Sequence, residues 1–195
     1  AAMAVGYAMN VPIITIENAL TSFNADELQN PGRFNIFNVR DFRVVVDYGH
    51  NIVSYQKTGE AIKKMGASRL VGIIGVPGDR QDEAIKKIGS IAGEIFNKII
   101  IKEDRDLRGR KKGEVANLLL EGATSAGMPK KKIEIIHNEN QALRKAMLEA
   151  RAGDLIVIFY EDLDGVLQTL KETAKIIESK NTQRKKVDLL VGRSG

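Results

Sequence analysis

Short runs of apolar, mostly β-branched residues alternate with longer amphipathic segments from residue 36 onward. The short runs predict strands, the first two as a hairpin, at residues 35–39, 43–47, 70–75, 98–101, 132–136 and 155–159. The amphipathic segments predict helices at residues 53–65, 82–96, 113–126, 139–150 and 163–178. Because strands and helices alternate strictly, we predict an α/β fold with a Rossmann-like, mostly parallel sheet and helices on both faces.

The first 30 residues do not follow this alternation. Their apolar positions predict one helix at residues 1–9 and, after a turn, a second at residues 15–22, before Pro31 and Gly32 break the helical pattern. Because the chain opens on "AAMAVGYAMN" without an initiator methionine, we expect it to be part of a longer protein. We predict three segments. Residues 1–34 are the end of a preceding domain with its linker, residues 35–180 are an α/β domain, and residues 181–195 are a basic tail that is either ordered or disordered.

The net charge of +5 is concentrated at the end of the chain, where residues 180–195 hold five basic residues and one acidic residue. A basic tail without interleaved aromatic residues is not typical of a nucleic-acid surface, so no nucleic-acid partner is expected. No apolar stretch approaches the roughly 20 residues that cross a bilayer, so we expect a soluble protein with no membrane partner. The absence of cysteine is compatible with a reducing compartment, and we expect the protein to be cytoplasmic. The absence of cysteine and the wide separation of His50 and His137 disfavour a zinc site, and we assign no metal ligand.

Flexible and ionisable residues follow the strands at one edge of the predicted sheet. The carboxyl ends of the strands continue into "DYGHN", "GVPGDRQDE", "KEDRDLRGRKKGE", "HNE" and "YED", whereas the opposite loops, "KKMGASR", "AGMPKKK" and "ARAGD", are plain connectors. Ligands of open parallel sheets bind at the carboxyl ends, so we expect a ligand site at this edge. Simpler interpretations apply to some of these residues: Asn138 and Asp162 are expected to be helix N-caps, and "RDLRGRKKG" is equally explained as a solvated basic loop.

The loops lack the standard phosphate-binding motifs. No Gly-Lys dipeptide occurs in the chain, so a P-loop of the G-x-x-x-x-G-K-[ST] type is excluded, and "GIIGVPG" has the wrong spacing for a dinucleotide-binding G-x-G-x-x-G. Their glycines and arginines still suit close contacts with phosphate or carboxylate groups. If the domain handles a nucleoside triphosphate, the main phosphate cradle therefore lies elsewhere.

Five motifs occur in order along residues 1–170: "NPGRF", "VVVDYGHN", "GVPGDRQDE", "KEDRDLRGR" and "AGDLIVIFYE". In these motifs the chain resembles the C-terminal domain of ligases of the cyanophycin synthetase family, within the Mur ligase and folylpolyglutamate synthase superfamily. The chain departs from the family pattern at Gly49, where alanine is frequent, and at Ile52, where proline is common. Both departures loosen the turn in which they lie.

The resemblance implies an ATP-dependent ligase, in which ATP phosphorylates a carboxylate and an amine then attacks the acyl phosphate to form an amide bond. In this family the domain helps to attach arginine to an aspartate side-chain carboxylate of a peptide. The P-loop and most Mg²⁺ ligands belong to the central ATPase domain, whose last helices would lie in residues 1–34. The domain alone is expected to be inactive. Its implied partners are ATP, arginine or another amino acid, the aspartate-containing peptide and the rest of the ligase, with a homo-oligomeric full-length form.

Matched residue by residue, the motifs imply nucleotide contacts by Arg33, Asp47, His50 and Asn51. Arg33 matches the interdomain arginine that reaches the ATP phosphates, a role suited to a planar and permanently charged donor. Asp47 matches the acid that engages the ribose, while His50 and Asn51 match positions against the nucleotide. The simpler interpretations are a surface arginine in a hinge region for Arg33 and a capping or partly buried histidine for His50.

The same matching implies an amino-acid site formed by Asp79, Arg80, Glu103, Asp104, Arg108 and Glu161. An arginine substrate needs carboxylates at its guanidinium group, to be supplied by Glu103, Asp104 or Glu161, and a cation at its α-carboxylate, to be supplied by Arg80 or Arg108. No catalytic residue is assigned. Two other interpretations stay open: a Mur-type ligase for a different amino acid, and a non-catalytic binding module with the same fold.

Overall fold

The computed structural model describes residues 2–23 and 28–191 of the chain. Two helices come first, α1 (Ala2–Ala8) and α2 (Ile13–Ser22). The strands are β1 (Asn35–Val39), β2 (Phe42–Asp47), β3 (Arg69–Ile74), β4 (Lys98–Ile101), β5 (Ile133–Ile135) and β6 (Asp154–Phe159). The helices that alternate with them are α3 (Ile52–Lys63), α4 (Asp82–Ile95), α5 (Glu114–Ser125), α6 (Glu139–Leu148) and α7 (Leu163–Val191), and a short 3₁₀ helix, Lys130–Lys132, precedes β5.

The six strands of the described residues form one sheet in the order β1-β2-β6-β3-β4-β5. β1 is antiparallel to β2, and every other pair of neighbours is parallel. The predicted α/β, Rossmann-like fold is confirmed, and each strand begins and ends within one residue of its predicted bounds. The last strand in sequence, β6, lies between β2 and β3.

Helices cover both faces of the sheet. On one face α3, α4 and α5 pack around a core to which β2 contributes Val45, and on the other face α6 and α7 pack against Val44 and Val46. All three valines are fully buried, because successive side chains of a strand point to opposite faces and both faces are covered. The continuous apolar run at residues 44–46 is therefore that of a central strand.

Helices α4 and α5 approach each other more closely than ordinary side chains allow. A methyl group added at Gly122 of α5 would overlap the backbone carbonyl of Lys86 in α4, and one added at Gly89 would overlap the carbonyl of Leu119. Glycine permits this approach because it has no Cβ. The contact fixes the packing of α4 against α5, the two helices into which the loops after β3 and β4 lead.

Helix α7 is longer than predicted. The apolar pattern indicated a helix at residues 163–178, whereas α7 continues to Val191 and so passes through most of the segment expected to be a tail. After Gly165, neither glycine nor proline occurs before Gly192, so the sequence contains no residue that stops the helix. Residues 192–195 lie outside the described residues, and the division of the chain into domains stays a prediction.

Helices α1 and α2 bury none of their residues. Large apolar side chains on both helices are exposed, as at Met9, which is 72% exposed. Helix α2 begins two residues earlier than predicted, directly after Pro12, because proline is tolerated at the start of a helix. None of the helices in the described part of the chain combines the length and the apolar character needed to span a membrane.

The substitution Gly122→Ala tests the close contact of α4 and α5. Helix propensity alone would make alanine more stable than glycine by about 1 kcal/mol, whereas overlap with the Lys86 carbonyl predicts a net loss of about 1–3 kcal/mol in the free energy of unfolding. Urea denaturation followed by circular dichroism measures the difference. Asn117→Ala, at an exposed position of the same helix, is the control and should stay within about 0.5 kcal/mol of wild type. A stabilised Gly122→Ala variant would contradict the packing.

Candidate functional site

The carboxyl ends of the five parallel strands lie at one edge of the sheet, which we call the ligand edge. Helix α3 follows β2 and helix α4 follows β3, and both cover one face, whereas α7 follows β6 and covers the other. Because β6 lies between β2 and β3, its loop diverges from the loops on either side. Such a divergence opens a crevice at the carboxyl ends, where ligands of α/β sheets bind.

Asp47, the last residue of β2, uses both carboxylate oxygens to order the chain around it. Its Oδ2 accepts a hydrogen bond from the backbone N–H of Phe34 at 2.9 Å, and its Oδ1 accepts one from the N–H of Gly49 at 2.8 Å. The carboxylate therefore fixes the end of the linker to the turn after β2. Each oxygen keeps a second lone pair with which it could accept a hydrogen bond from a ligand.

Aromatic side chains gather next to this carboxylate. The Tyr48 ring centroid lies 5.0 Å from that of His50 and 5.4 Å from that of Tyr160, and the guanidinium carbon of Arg33 lies 4.6 Å from the Tyr48 centroid. This cation–π contact holds Arg33 at the ligand edge. Burial raises the pKa of the Tyr160 phenol, and the charge of Arg33 acts in the opposite direction. A side chain at Gly32 would overlap the Tyr160 hydroxyl, which explains the glycine of "NPGRF".

His50 and Asn51 lie on a groove of about 550 Å³ between the starts of α3 and α4, whose other lining residues are Ile52, Val53, Ser54, Arg80, Ala84 and Ile88. Asn51 is also the N-cap of α3, since its Oδ1 accepts hydrogen bonds from the N–H and the hydroxyl of Ser54 at 2.9 and 3.1 Å. The His50 Nδ1 atom lies 3.1 Å from the Tyr48 carbonyl oxygen. All four residues predicted to contact the nucleotide thus lie near the end of β2.

Lys102 directly follows β4 and is almost completely buried, with 1% of its side chain exposed. Its Nζ donates to Asp104 Oδ1 at 2.7 Å and lies 2.8 Å from Glu139 Oε2. Burial lowers the pKa of Lys102, but the two carboxylates outweigh burial and hold the pKa above its ordinary value. Glu139 also accepts the backbone N–H groups of Glu161 and Asp162 at 2.7 and 3.1 Å. One lysine therefore links the loops after β4 and β6 to the start of α6.

Glu103 is bound to the start of α5 and to His137. Its carboxylate, only 3% exposed, accepts the N–H of Gly113 at 2.9 Å and that of Ala116 at 3.1 Å, and lies 2.7 Å from His137 Nδ1. A carboxylate at a helix N-terminus is stabilised by the free N–H groups there. This geometry favours a structural role for Glu103, whose predicted contact with the substrate stays a prediction.

Asp104 and Glu161 border two cavities at once. One cavity, of about 70 Å³, extends toward the aromatic residues after β2, and the other, of about 240 Å³, extends toward the first turn of α6. Glu161 Oε2 accepts the backbone N–H of Arg105 at 2.9 Å. Within the described residues, no donor reaches the remaining oxygens, Glu161 Oε1 and Asp104 Oδ2.

The predicted site residues Asp79, Arg80 and Arg108 form exposed ion pairs at the rim of the crevice. Arg108 lies 3.3 Å from Asp79 and 2.9 Å from Asp106, and Arg80 lies 3.8 Å from Asp79. Because 50% of the Arg108 side chain is exposed, these pairs contribute little to stability. The two arginines are therefore accessible to an anionic group of a ligand.

Arg110 joins the loops after β3 and β4. Its guanidinium group donates to the carbonyl oxygens of Gly78 and Arg80 at 2.6 and 2.7 Å. The same group binds the carboxylates of Asp82 and Glu114 at 2.7 and 2.6 Å. Five donors in one plane make such a junction possible, and a lysine cannot reproduce it. The two loops that carry the rim arginines are thereby held together.

Two of the simpler interpretations from the sequence are confirmed. Asn138 is the N-cap of α6, where its Oδ1 accepts the N–H of Gln141 at 2.9 Å. Asp162 precedes α7 and accepts the N–H of Gly165 at 3.2 Å. These side chains set the starts of the two helices on the second face of the sheet.

Reasoning from the sequence missed Lys102 and Glu139 and gave Arg110 no role. A signal for Lys102 was present, because a lysine directly after the buried run "III" must find a charged partner. Glu139 has the pattern of an ordinary acid in the first turn of a helix. Arg110 is one of several basic residues in its loop, and only the fold shows that it contacts the loop after β3.

The fold and the ordered motifs agree with one protein family. Residues 32–159 match the family described as Mur ligase, glutamate ligase domain. The match begins in the linker, includes the strands from β1 to β6 and covers more than half of the chain. The chain belongs to this family.

Among similar proteins, cyanophycin synthetase of Nostoc sp. is 34% identical over 195 residues, which are all of this chain and 22% of the relative. A solved UDP-N-acetylmuramoyl-L-alanyl-D-glutamate–2,6-diaminopimelate ligase shares the fold with a TM-score of 0.65 at 19% identity, over 88% of this chain and 39% of that one. MurF ligase of Thermotoga maritima, solved in complex with ADP, gives a TM-score of 0.52 at 14% identity, over 85% and 37% of the two chains. The chain spans about a fifth of the length of the cyanophycin synthetases that it matches.

Replacing Arg110 with lysine is expected to loosen the two loops it joins, because one ammonium group cannot bind two carbonyls and two carboxylates in a fixed plane. Amide hydrogen exchange in residues 76–82 and 104–113 should accelerate by about tenfold, as the loss of a charge-assisted hydrogen bond predicts. Arg108→Lys in the same loop is the control, since its ion pairs are exposed. Equal exchange rates in the two variants would disprove the role of Arg110.

Proposed function

We propose that this chain is the C-terminal domain of an ATP-dependent ligase of the cyanophycin synthetase type, and that it helps to bind ATP and arginine. In the proposed reaction, ATP transfers its γ-phosphate to an aspartate side-chain carboxylate of a peptide. The amino group of arginine then displaces phosphate from the acyl phosphate, so that an amide bond forms and inorganic phosphate leaves. Similarity over the whole chain to a protein named cyanophycin synthetase supports this assignment.

The charge balance inside the crevice is the observation that supports a cationic amino acid. Asp104, Glu139 and Glu161 border the same cavity, and among the described residues Lys102 is the buried ammonium group that contacts the first two of them. This buried cluster therefore has a surplus of negative charge, while the basic residues that also border the two cavities, Arg105, Arg108 and Lys112, are exposed. Two carboxylate oxygens of the cluster have no donor among the described residues. A guanidinium group supplies a positive charge and several N–H donors in one plane, which matches both needs.

Of the other residues predicted for the amino-acid site, some are proposed to contact the substrate and one to support such a residue. In the proposed site, Asp104 and Glu161 face the cationic side chain, and Arg80 or Arg108 binds the α-carboxylate of the amino acid. Asp79 supports Arg108, from which it lies 3.3 Å. The rim arginines lie on the loops held together by Arg110, so their spacing is constrained before a ligand binds.

The end of β2 is proposed to contact the nucleotide. Arg33 carries an exposed charge suited to phosphate, and Asp47 keeps lone pairs for the ribose hydroxyls. The groove beside His50 and Asn51 has largely aliphatic walls, against which a planar base would fit. The proposed central domain would supply the P-loop and most ligands of Mg²⁺, so the nucleotide would lie between two domains.

ATP binding is expected to weaken in the Asp47→Ala and His50→Ala variants of the full-length ligase. Loss of a hydrogen bond to a charged group predicts an increase of about tenfold in the KM for ATP, measured by coupled ADP release. Asp41→Ala, in the exposed turn that precedes β2, is the control and should leave this KM unchanged. An unaltered KM for ATP in both test variants would remove the nucleotide assignment.

Arginine is the amino acid expected to stimulate ADP release by the full-length ligase in the presence of an aspartate-containing peptide. Asp104→Asn and Glu161→Gln should each raise the KM for arginine by about tenfold, because each removes a charge-assisted hydrogen bond, while the KM for ATP stays the same. Glu134→Gln, in the middle of β5 and paired with Lys98 and Lys145 outside the proposed site, is the matched control.

A panel of lysine, citrulline, glutamate and alanine separates this proposal from its alternatives. Stimulation by a different amino acid would indicate a Mur-type ligase of other specificity. No stimulation by any amino acid, in a full-length protein that binds ATP, would favour a non-catalytic module. The isolated chain is expected to be inactive, since the proposed P-loop lies in another domain.

A further inference from the structure

Lys102 brings a positive charge into the interior at a point that the proposed reaction does not use directly. Its methylene groups pack on Gly75, where an added Cβ would lie 2.5 Å from Lys102 Cε. An unpaired ammonium group at such a depth would be strongly destabilising. The contacts of Lys102 with its carboxylate partners are therefore a fixed part of the folded structure.

One branch of these contacts orders Asp104 directly. The Lys102 ammonium group binds Asp104 Oδ1 at 2.7 Å, and Asp104 borders both cavities of the crevice. A carboxylate held at one oxygen cannot turn freely about its last side-chain bond. The second oxygen is thus kept in a fixed position for a donor.

The other branch reaches Glu161 through Glu139. Glu139 Oε2 lies 2.8 Å from the Lys102 ammonium nitrogen and also accepts the backbone N–H of Glu161 at 2.7 Å. Its Oε1 accepts the next N–H, that of Asp162, at 3.1 Å. Two hydrogen bonds therefore fix the backbone from which the Glu161 side chain begins.

We infer that Lys102 is a positioning residue of the amino-acid site, and that its single buried ammonium group sets the spacing of the two carboxylates that receive the cationic side chain. The inference rests on the proposed function. Lys102 acts through Asp104 and Glu139, and it also offsets part of their mutual repulsion. Without this charge the loops after β4 and β6 would separate, and the two carboxylates would no longer converge on one ligand group.

Lys98 on the same strand provides a matched comparison. Its Nζ lies 2.8 Å from Glu149 and 3.6 Å from Glu134, so it also pairs with two carboxylates. It begins β4 and therefore lies at the edge of the sheet opposite the crevice. Lys98→Met removes a paired lysine from β4 without touching the proposed site.

The test compares Lys102→Met and Lys98→Met in the full-length ligase, with arginine, ATP and the aspartate-containing peptide as substrates. Lys102→Met should raise the KM for arginine by about tenfold or more, the effect expected when charge-assisted hydrogen bonds at a binding site are lost. The KM for ATP, and kcat at saturating arginine, should stay at wild-type values. Lys98→Met should change none of the three. Circular dichroism and thermal unfolding verify that each variant is folded.

The other outcomes either overturn the inference or require a second variant. A folded Lys102→Met enzyme with an unchanged KM for arginine overturns the positioning role, and so does an equal rise in the KM for ATP. If Lys102→Met does not fold, Glu139→Gln takes its place: a raised KM for arginine supports the inference and an unchanged one overturns it. Wild-type enzyme without arginine-dependent ADP release overturns the proposed function, and the inference with it.

Discussion

The pairing of β6 with β2 on one side and β3 on the other is the interaction on which the rest of the structure depends. β6 bonds to β2 over five residue pairs, from Arg43↔Leu155 to Asp47↔Phe159, and to β3 over another five. Without β6, the β1-β2 hairpin and the β3-β4-β5 sheet would share no hydrogen-bonded edge. The register that pairs Asp47 with Phe159 also brings Tyr160 beside Tyr48. The proposed nucleotide and amino-acid contacts are neighbours because this one strand joins their two halves.

The elements themselves were accessible from the sequence. Runs of apolar residues bounded by glycine, asparagine and charged residues defined every strand to within one residue. Burial on both faces leaves little room for polar side chains in the central strands, whereas the two outer strands, β1 and β5, are partly exposed and include Asn38 and Glu134. Strand order was not accessible, since inserting β6 between β2 and β3 depends on contacts between residues more than 80 positions apart. The length of α7 was underestimated because its apolar periodicity fades while its backbone remains free of helix-breaking residues.

For the candidate site, the sequence likewise predicted where the residues lie but not which residues contact each other. That polar residues collect at the carboxyl ends of the strands follows from topology, so the ligand edge could be predicted. The pairing of those residues could not, because it depends on the distances between loops. Glu103 illustrates the difference: in sequence it is one acid in a charged loop, whereas in the structure its oxygens bind the start of α5 and His137. Lys102 is the opposite case, since a lysine that extends a buried strand is unusual enough to be noticed.

The linker before β1 has a mechanical consequence. The buried Asn35 accepts the N–H of Gly32 at 2.6 Å and donates to the Asn30 carbonyl at 3.0 Å, while Asp47 holds the N–H of Phe34. Residues 30–35 are thus clamped to the sheet at several points. If the proposed central domain precedes this segment and moves relative to the sheet, we expect the pivot to lie before Asn30, because these hydrogen bonds hold residues 30–35 to the sheet. Arg33 would then move together with the sheet, and its contact with the Tyr48 ring would be the same in every arrangement of the two domains.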